Sequence, residues 1–119
     1  MITALEIVMQ HIRDIVDVPV SSRVPPSRPD AFVRVDQGSP YMVNPITERN
    51  IVFVQVYGVD LEKVLGHIGA IRTLLWDLDA IDARVQEWDE SEGPHDYPDP
   101  DLPGVIRWQL SGELSFTHT

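Results

Sequence analysis

At 119 residues the chain is long enough for one hydrophobic core and too short for two. With no cysteine it has neither a disulfide framework, nor a thiolate metal site, nor a cysteine nucleophile. A formal net charge of −10 sets it against nucleic-acid phosphate unless its nine Lys and Arg residues gather on one surface.

In chain order, Thr3 with Glu6 three positions on reads as a capped helix start. Leu5, Val8, Met9, Ile12, Ile15 and Val16 share one side at helical spacing, with Ile7 on the other. This opening segment has no basic start or small-residue cleavage site, and no apolar run approaches the ~20 residues of a membrane span. A soluble protein, intracellular when made, is expected. Pro19 ends the helix. Val18–Val24 reads as a short edge strand, and Ala31–Asp36 as an alternating one. The proline-stiffened segment between them predicts a hairpin. Gln37–Glu48 reads as a loop of twelve residues that exposes Tyr41 and Met42, either for docking or folded over its own core.

Arg49–Tyr57 is the strongest strand, apolar enough to be central and covered on both faces. Asp60 then caps a long helix to Leu78, with Leu61, Val64, Leu65, Ile68, Ile71, Leu75, Trp76 and Leu78 as its apolar stripe. Arg72 interrupts that stripe. Either it snorkels to water, or it pairs with a carboxylate, one on a neighbouring subunit included. The opposite face collects Gly66, Gly69, Ala70 and Thr73, as though something approaches it closely, in the chain or from a partner. Ala83–Trp88 predicts a fourth strand. Asp89–Gly104, with six carboxylates and four prolines, predicts a projecting loop. Val105–Thr117 alternates as the last strand, and Gly112 marks a bulge in it. The whole reads as a single α+β domain over residues 1–119. A mixed or antiparallel sheet of about five strands is flanked by two helices, in the order α-β-β-β-α-β-β.

The four histidines stand apart, and no phosphate-binding glycine loop or nucleophile elbow occurs. His95-Asp96-Tyr97-Pro98-Asp99-Pro100-Asp101 has carboxylates two residues apart but lacks the glycine and closing glutamate of a calcium loop. A flexible proline-rich loop also holds a general acid–base pair poorly. No catalytic residue, metal or cofactor is therefore expected.

Two stretches carry a resemblance. One is Ser22-Arg23-Val24-Pro25-Pro26-Ser27-Arg28-Pro29-Asp30-Ala31-Phe32-Val33-Arg34-Val35. The other is Tyr97-Pro98-Asp99-Pro100-Asp101, followed by the alternating strand Val105–Phe116. With the first helix, the strand–helix unit Arg49–Leu78 and its lead-in Thr47-Glu48-Arg49-Asn50, they are similar to the tail terminator proteins of long-tailed actinobacteriophages. The resemblance spans nearly the whole chain in element order, through short motifs that mark turns and strands. It implies an α+β domain that assembles as a hexameric ring, sits on the last tail-tube ring, stops tube polymerisation and joins tail to head. The partners implied are copies of the chain, the tail tube protein and a neck or head-completion protein. From the charge balance, the lumen of such a ring is expected to be lined mostly by acidic groups, so that phage DNA passes through without specific binding. The place implied is the head–tail junction of the virion, after assembly in the host cytoplasm.

A ring needs one surface patch to meet a different one. The expected patches are Arg23, Arg28 and Arg34 against the acidic segment holding Asp96, Asp99 and Asp101 of the next subunit, with Tyr41, Met42 and Arg72 as further contact residues. Two alternatives stand beside this reading: another neck or minor tail protein, and a small acidic binding module that mimics DNA or inhibits a basic partner.

Overall fold

The structure, a computed structural model, describes residues 1–118. Its elements run α1 (Ala4–Arg13), β1 (Val20–Ser21), β2 (Phe32–Gln37), β3 (Tyr41–Asn44), β4 (Thr47–Gly58), α2 (Leu61–Ile81), β5 (Val85–Asp96) and β6 (Ile106–Thr117). The fold is α+β, as expected, with six strands rather than five.

Strand β4 holds the sheet together. Across it the order is β1-β2-β4-β6-β5, and β3 also pairs with β4, beyond the end of β2. All pairings are antiparallel except β1 with β2, where Val20 faces Val33 and Ser21 faces Arg34 in parallel register. The expected hairpin between the first two strands is therefore not formed. Residues 22–31 act instead as a crossover, long enough to bring the chain back to the same end of the sheet, which a tight turn cannot do.

Alternation along β4 decides the layering. Val52, Val54 and Val56 are fully buried and join Val33, Val35, Leu110, Leu114 and Phe116 in one core. That core also takes Ala4, Ile7, Val8 and Ile12 of α1, and Val64, Ile68, Ile71, Leu75 and Leu78 of α2. Both helices thus cover the same face, and each buried aliphatic contributes about 1.5–3 kcal/mol relative to exposure. Ile7, placed on the polar side by periodicity, is fully buried, while Ile15 is exposed. In α2 the buried stripe is narrower than expected, and Leu61, Leu65 and Trp76 lie outside it, exposed.

The caps behave as read. Thr3 Oγ1 accepts from Glu6 N, and Asp60 Oδ1 accepts from Glu62 N at 3.0 Å. At the other end of α2, Asp82 accepts from Arg84 N and Nε, each at 3.0 Å, and from Nη2 at 2.7 Å, and lies 2.8 Å from His11 Nε2. These bonds tie both helix ends to the start of β5. Chiefly through Arg84, and against the effect of burial, they hold the Asp82 carboxyl well below the usual carboxylate range.

Two segments expected to be loops are strands. Tyr41–Asn44 pairs with Thr47–Arg49 as a short hairpin. The acidic run continues β5 as far as Asp96, hydrogen-bonded to β6 through two register shifts. An edge strand needs a neighbour on one side only, so carboxylates along its free side do not prevent pairing.

The sheet face away from the helices is polar and aromatic. Phe32 stacks on Tyr57 at 4.2 Å between ring centroids, and Gln55 Nε2 donates to Gln109 Oε1 at 2.7 Å. Arg49 lies 3.3 Å from Glu87 and 3.1 Å from Glu113. The Glu113 contact is off the Nε–H axis, a charge contact rather than a hydrogen bond. No helix among the described residues is long and apolar enough to cross a membrane.

Candidate functional site

The surface sorts the expected contact residues into two kinds. One kind is already paired within the chain. Arg34 Nε on β2 lies 3.3 Å from Asp36. Arg72 donates from Nε and Nη2 to the two oxygens of Glu90, both at 2.8 Å. That bidentate bond holds the Glu90 carboxyl below its usual range against the effect of burial, and raises the Arg72 guanidinium. Arg72 thus sits at the margin of the buried stripe, and its carboxylate partner belongs to the same chain. Asp99 lies 3.6 Å from Arg107 Nη1, whose guanidinium also lies over the Tyr97 ring at 4.6 Å and the Tyr57 ring at 5.7 Å. Arg107 Nε donates to Tyr97 O, so one half-buried arginine fastens the proline-rich acidic segment to the sheet.

The second kind is left over. Arg23 and Arg28 are exposed in the crossover after β1 and have no ion-pair partner among the described residues. Asp96, at the end of β5, and Asp101, in the segment before β6, are exposed and likewise without one. Strand order gives these two sets their geometry. β1 lies on one lateral edge of the sheet and β5 on the other. The register Phe32↔Tyr57, Gly58↔Ile106 and Asp96↔Trp108 brings the end of the crossover and the end of β5 to one end of the sheet, while Arg23 follows Ser21, level with Arg34 inside β2. Unspent positive charge and unspent negative charge thus lie toward opposite lateral edges of the sheet.

At the opposite end stands the β3–β4 hairpin. Tyr41 and Met42 are each 51% exposed, although Tyr41 OH donates to Glu113 Oε2 at 3.1 Å. Val43 and Ile46, which sequence reading passed over, are equally open at 58% and 51%. The missed signal is charge: no ionisable acid or base other than Tyr41 occurs from Gln37 to Thr47.

Concave features are mostly open: depressions of about 350 Å³ beside Arg49 and Glu87 and of about 420 Å³ between Ile15 and α2. A more enclosed cleft of about 160 Å³ lies between Asp30 and the β4–α2 turn, lined also by Tyr57, Lys63, Val64 and His67. Its His67 Nε2 lies 3.5 Å from Asp17. Among the described residues no three His, Asp or Glu side chains converge as a metal ion requires. Compared with known proteins, the chain matches no family model and no curated protein. The fold and the surface define a small α+β domain with unpaired charges toward both lateral edges of its sheet as well as on its helices.

Proposed function

We propose that this chain is a structural assembly protein: a tail terminator that closes into a ring, caps the tail tube of a long-tailed phage, ends tube polymerisation and offers the surface that joins tail to head. The observation that carries the reading is that unpaired Arg23 and Arg28, with Asp30 beside them, lie toward one lateral edge of the sheet and unpaired Asp96 and Asp101 toward the other. Opposite charges on opposite edges suit a head-to-tail contact, the kind that generates rings. In-chain pairing of Arg34, Arg72 and Asp99 narrows the charged contact to those four residues. The resemblance of Ser22–Val35 and Tyr97–Asp101 to tail terminators supplies the particular role, the hexamer and the neighbours: the tail tube protein below and a neck protein above. The net charge of −10 suits a lumen that DNA slides through.

The test is assembly followed by capping. Light scattering on the purified protein should give a hexamer, or a concentration-dependent approach to one. Added to polymerising tail tube protein, it should halt growth. A particle that is monomeric at every concentration and leaves tube length unchanged overturns the reading. A monomer or dimer that captures a basic protein points to the acidic binding module instead.

A further inference from the structure

We infer that copies of this chain associate through a second, apolar contact, in which the β3–β4 hairpin of one copy seats on the outer face of α2 of the next. The inference rests on the ring reading for its head-to-tail sense, and on three features of its own.

The first is an unexplained cost. Gly66 and Gly69 lie inside α2, where each costs roughly 1 kcal/mol relative to alanine. A Cβ added at either would meet nothing within 4 Å, so packing inside the chain does not call for a glycine at these positions. They share the outward side of the helix with Ala70 and Thr73, and exposed Leu65 and Trp76 flank them. This is a face of small side chains, with a shallow depression lined by Ile15, Ala70, Thr73, Leu74, Asp77 and Ile81 beside it, on which another backbone can lie close.

The second feature is charge. Two copies at −10 repel each other over most of their surface, so close contact is cheapest where carboxylates are missing. The eleven residues 37–47 and the eight residues 64–71 carry no Asp, Glu, Lys or Arg. The first stretch contains the projecting hairpin with Tyr41, Met42, Val43 and Ile46, and the second contains Leu65, Gly66, Gly69 and Ala70 of the glycine face, which Glu62 and Asp77 border at its two ends. A basic partner would have no reason to choose either, whereas a second copy would.

The third is placement. α2 packs chiefly over β5 and β6, on one side of the sheet, while β3 lies beyond β4 on the other. The glycine face turns away from the sheet on the helix-covered side, and the hairpin projects beyond the end of β2, so the two are different surfaces of the chain. A patch that fits a different patch propagates head to tail and closes as a ring. The two edges also differ in protection. β5 carries carboxylates, Pro94 and three register shifts, features that discourage pairing, and β3 carries no charge at all.

The experiment uses two variants of the full chain, Val43→Asp in the hairpin and Gly69→Glu on the helix. Both sites are open to solvent, and circular dichroism with urea titration verifies that each folds. Each alone should raise the apparent dissociation constant of the assembly at least tenfold. Mixed at equimolar amounts, they should form a 1:1 dimer and nothing larger, since one good hairpin and one good helix face remain between them. If both variants assemble as wild type does, the inference is overturned while the ring stands. If the hairpin variant fails and the helix variant assembles normally, the contact is hairpin to hairpin, and the inference is equally overturned. If the 1:1 dimer forms but wild type never caps a tube, the contact holds and the terminator reading falls. A wild type that stays monomeric overturns both.

Discussion

Arg72 of α2 and Glu90 of β5 are joined by two parallel hydrogen bonds of 2.8 Å, the strongest single tie between the long helix and the outermost strand. Gly93 sits beside it, where a Cβ would lie 3.2 Å from Arg72 Nη2. The pair fixes the edge of the sheet at the point where β5 changes register between Glu90 and Glu92. Because the guanidinium is half exposed, its removal should lower the melting temperature only slightly. The clearer readout is local. Arg72→Ala should speed amide exchange along residues 90–96 while leaving β4 protected. A double-mutant cycle with Glu90→Ala should show a favourable coupling that shrinks in 1 M salt. No coupling would mean that the register is held by the strand pairing alone.

The glycines offer a sharper contrast. At Gly112 of β6 a Cβ would stand 2.5 Å from Trp88 Cζ2 and 2.7 Å from the Asp89 carbonyl oxygen. A backbone atom cannot move aside cheaply, so Gly112→Ala should cost about 1–3 kcal/mol in urea unfolding. At Gly66 and Gly69 the space is open, and alanine should stabilise the isolated subunit by roughly 0.5–1 kcal/mol at each. If Gly69→Ala destabilises the monomer, some feature of the chain other than steric space requires that glycine.

These residues also show what could be read from the chain and what could not. The cap at Asp60, the apolar run of β4 and the alternation of β6 follow from periods of 3.6 and 2 that neighbouring elements reinforce. β3 was hidden because four residues between prolines have too few alternations to register, and its partner, β4, supplies the missing hydrogen bonds from outside the segment. Beyond Trp88 the continuation of β5 is not legible in the sequence, because its residues bury little. The twelve-residue register of β6 carries it, not its own hydrophobicity. Arg72 stood out by its position in the stripe, but its partner lies eighteen residues away, across a turn that periodicity does not resolve. At the candidate interface the charged residues were legible. Which of them the chain had already paired was not, since that depends on strand order.

Acid should release the α1–α2–β5 junction. Asp82 is held below its ordinary range chiefly by Arg84, and Glu90 chiefly by Arg72. A carboxylate with a depressed folded-state pKa stabilises fully above its unfolded value of about 4, and that share fades as the pH falls through the folded value. Asp82→Asn should therefore be less stable than wild type by about 2–3 kcal/mol at pH 7, the scale of a lost charged hydrogen-bond set. The gap should narrow steadily below about pH 4. Urea midpoints at pH 7, 4 and 2.5 measure it, and a gap that stays constant with pH would show that the carboxylate charge contributes nothing.

The charged edges make the last prediction. Arg28 is exposed and unpaired within the chain, so Arg28→Glu should leave the subunit's unfolding curve unchanged while weakening the ring. An exposed pair is worth roughly 0.2–1 kcal/mol, and reversal adds repulsion of similar size, so a loss of about threefold to tenfold in assembly affinity is expected. The double variant Arg28→Glu with Asp101→Arg restores opposite signs across a head-to-tail contact and should recover most of that loss. In a contact that joins like edges the two substitutions would instead meet their own kind, and no recovery would follow. Salt separates this contribution from the apolar one. Raising ionic strength from 0.05 to 0.5 M (roughly a threefold shorter screening length) should erase the difference between wild type and Arg28→Glu, and leave the defect of Val43→Asp in place.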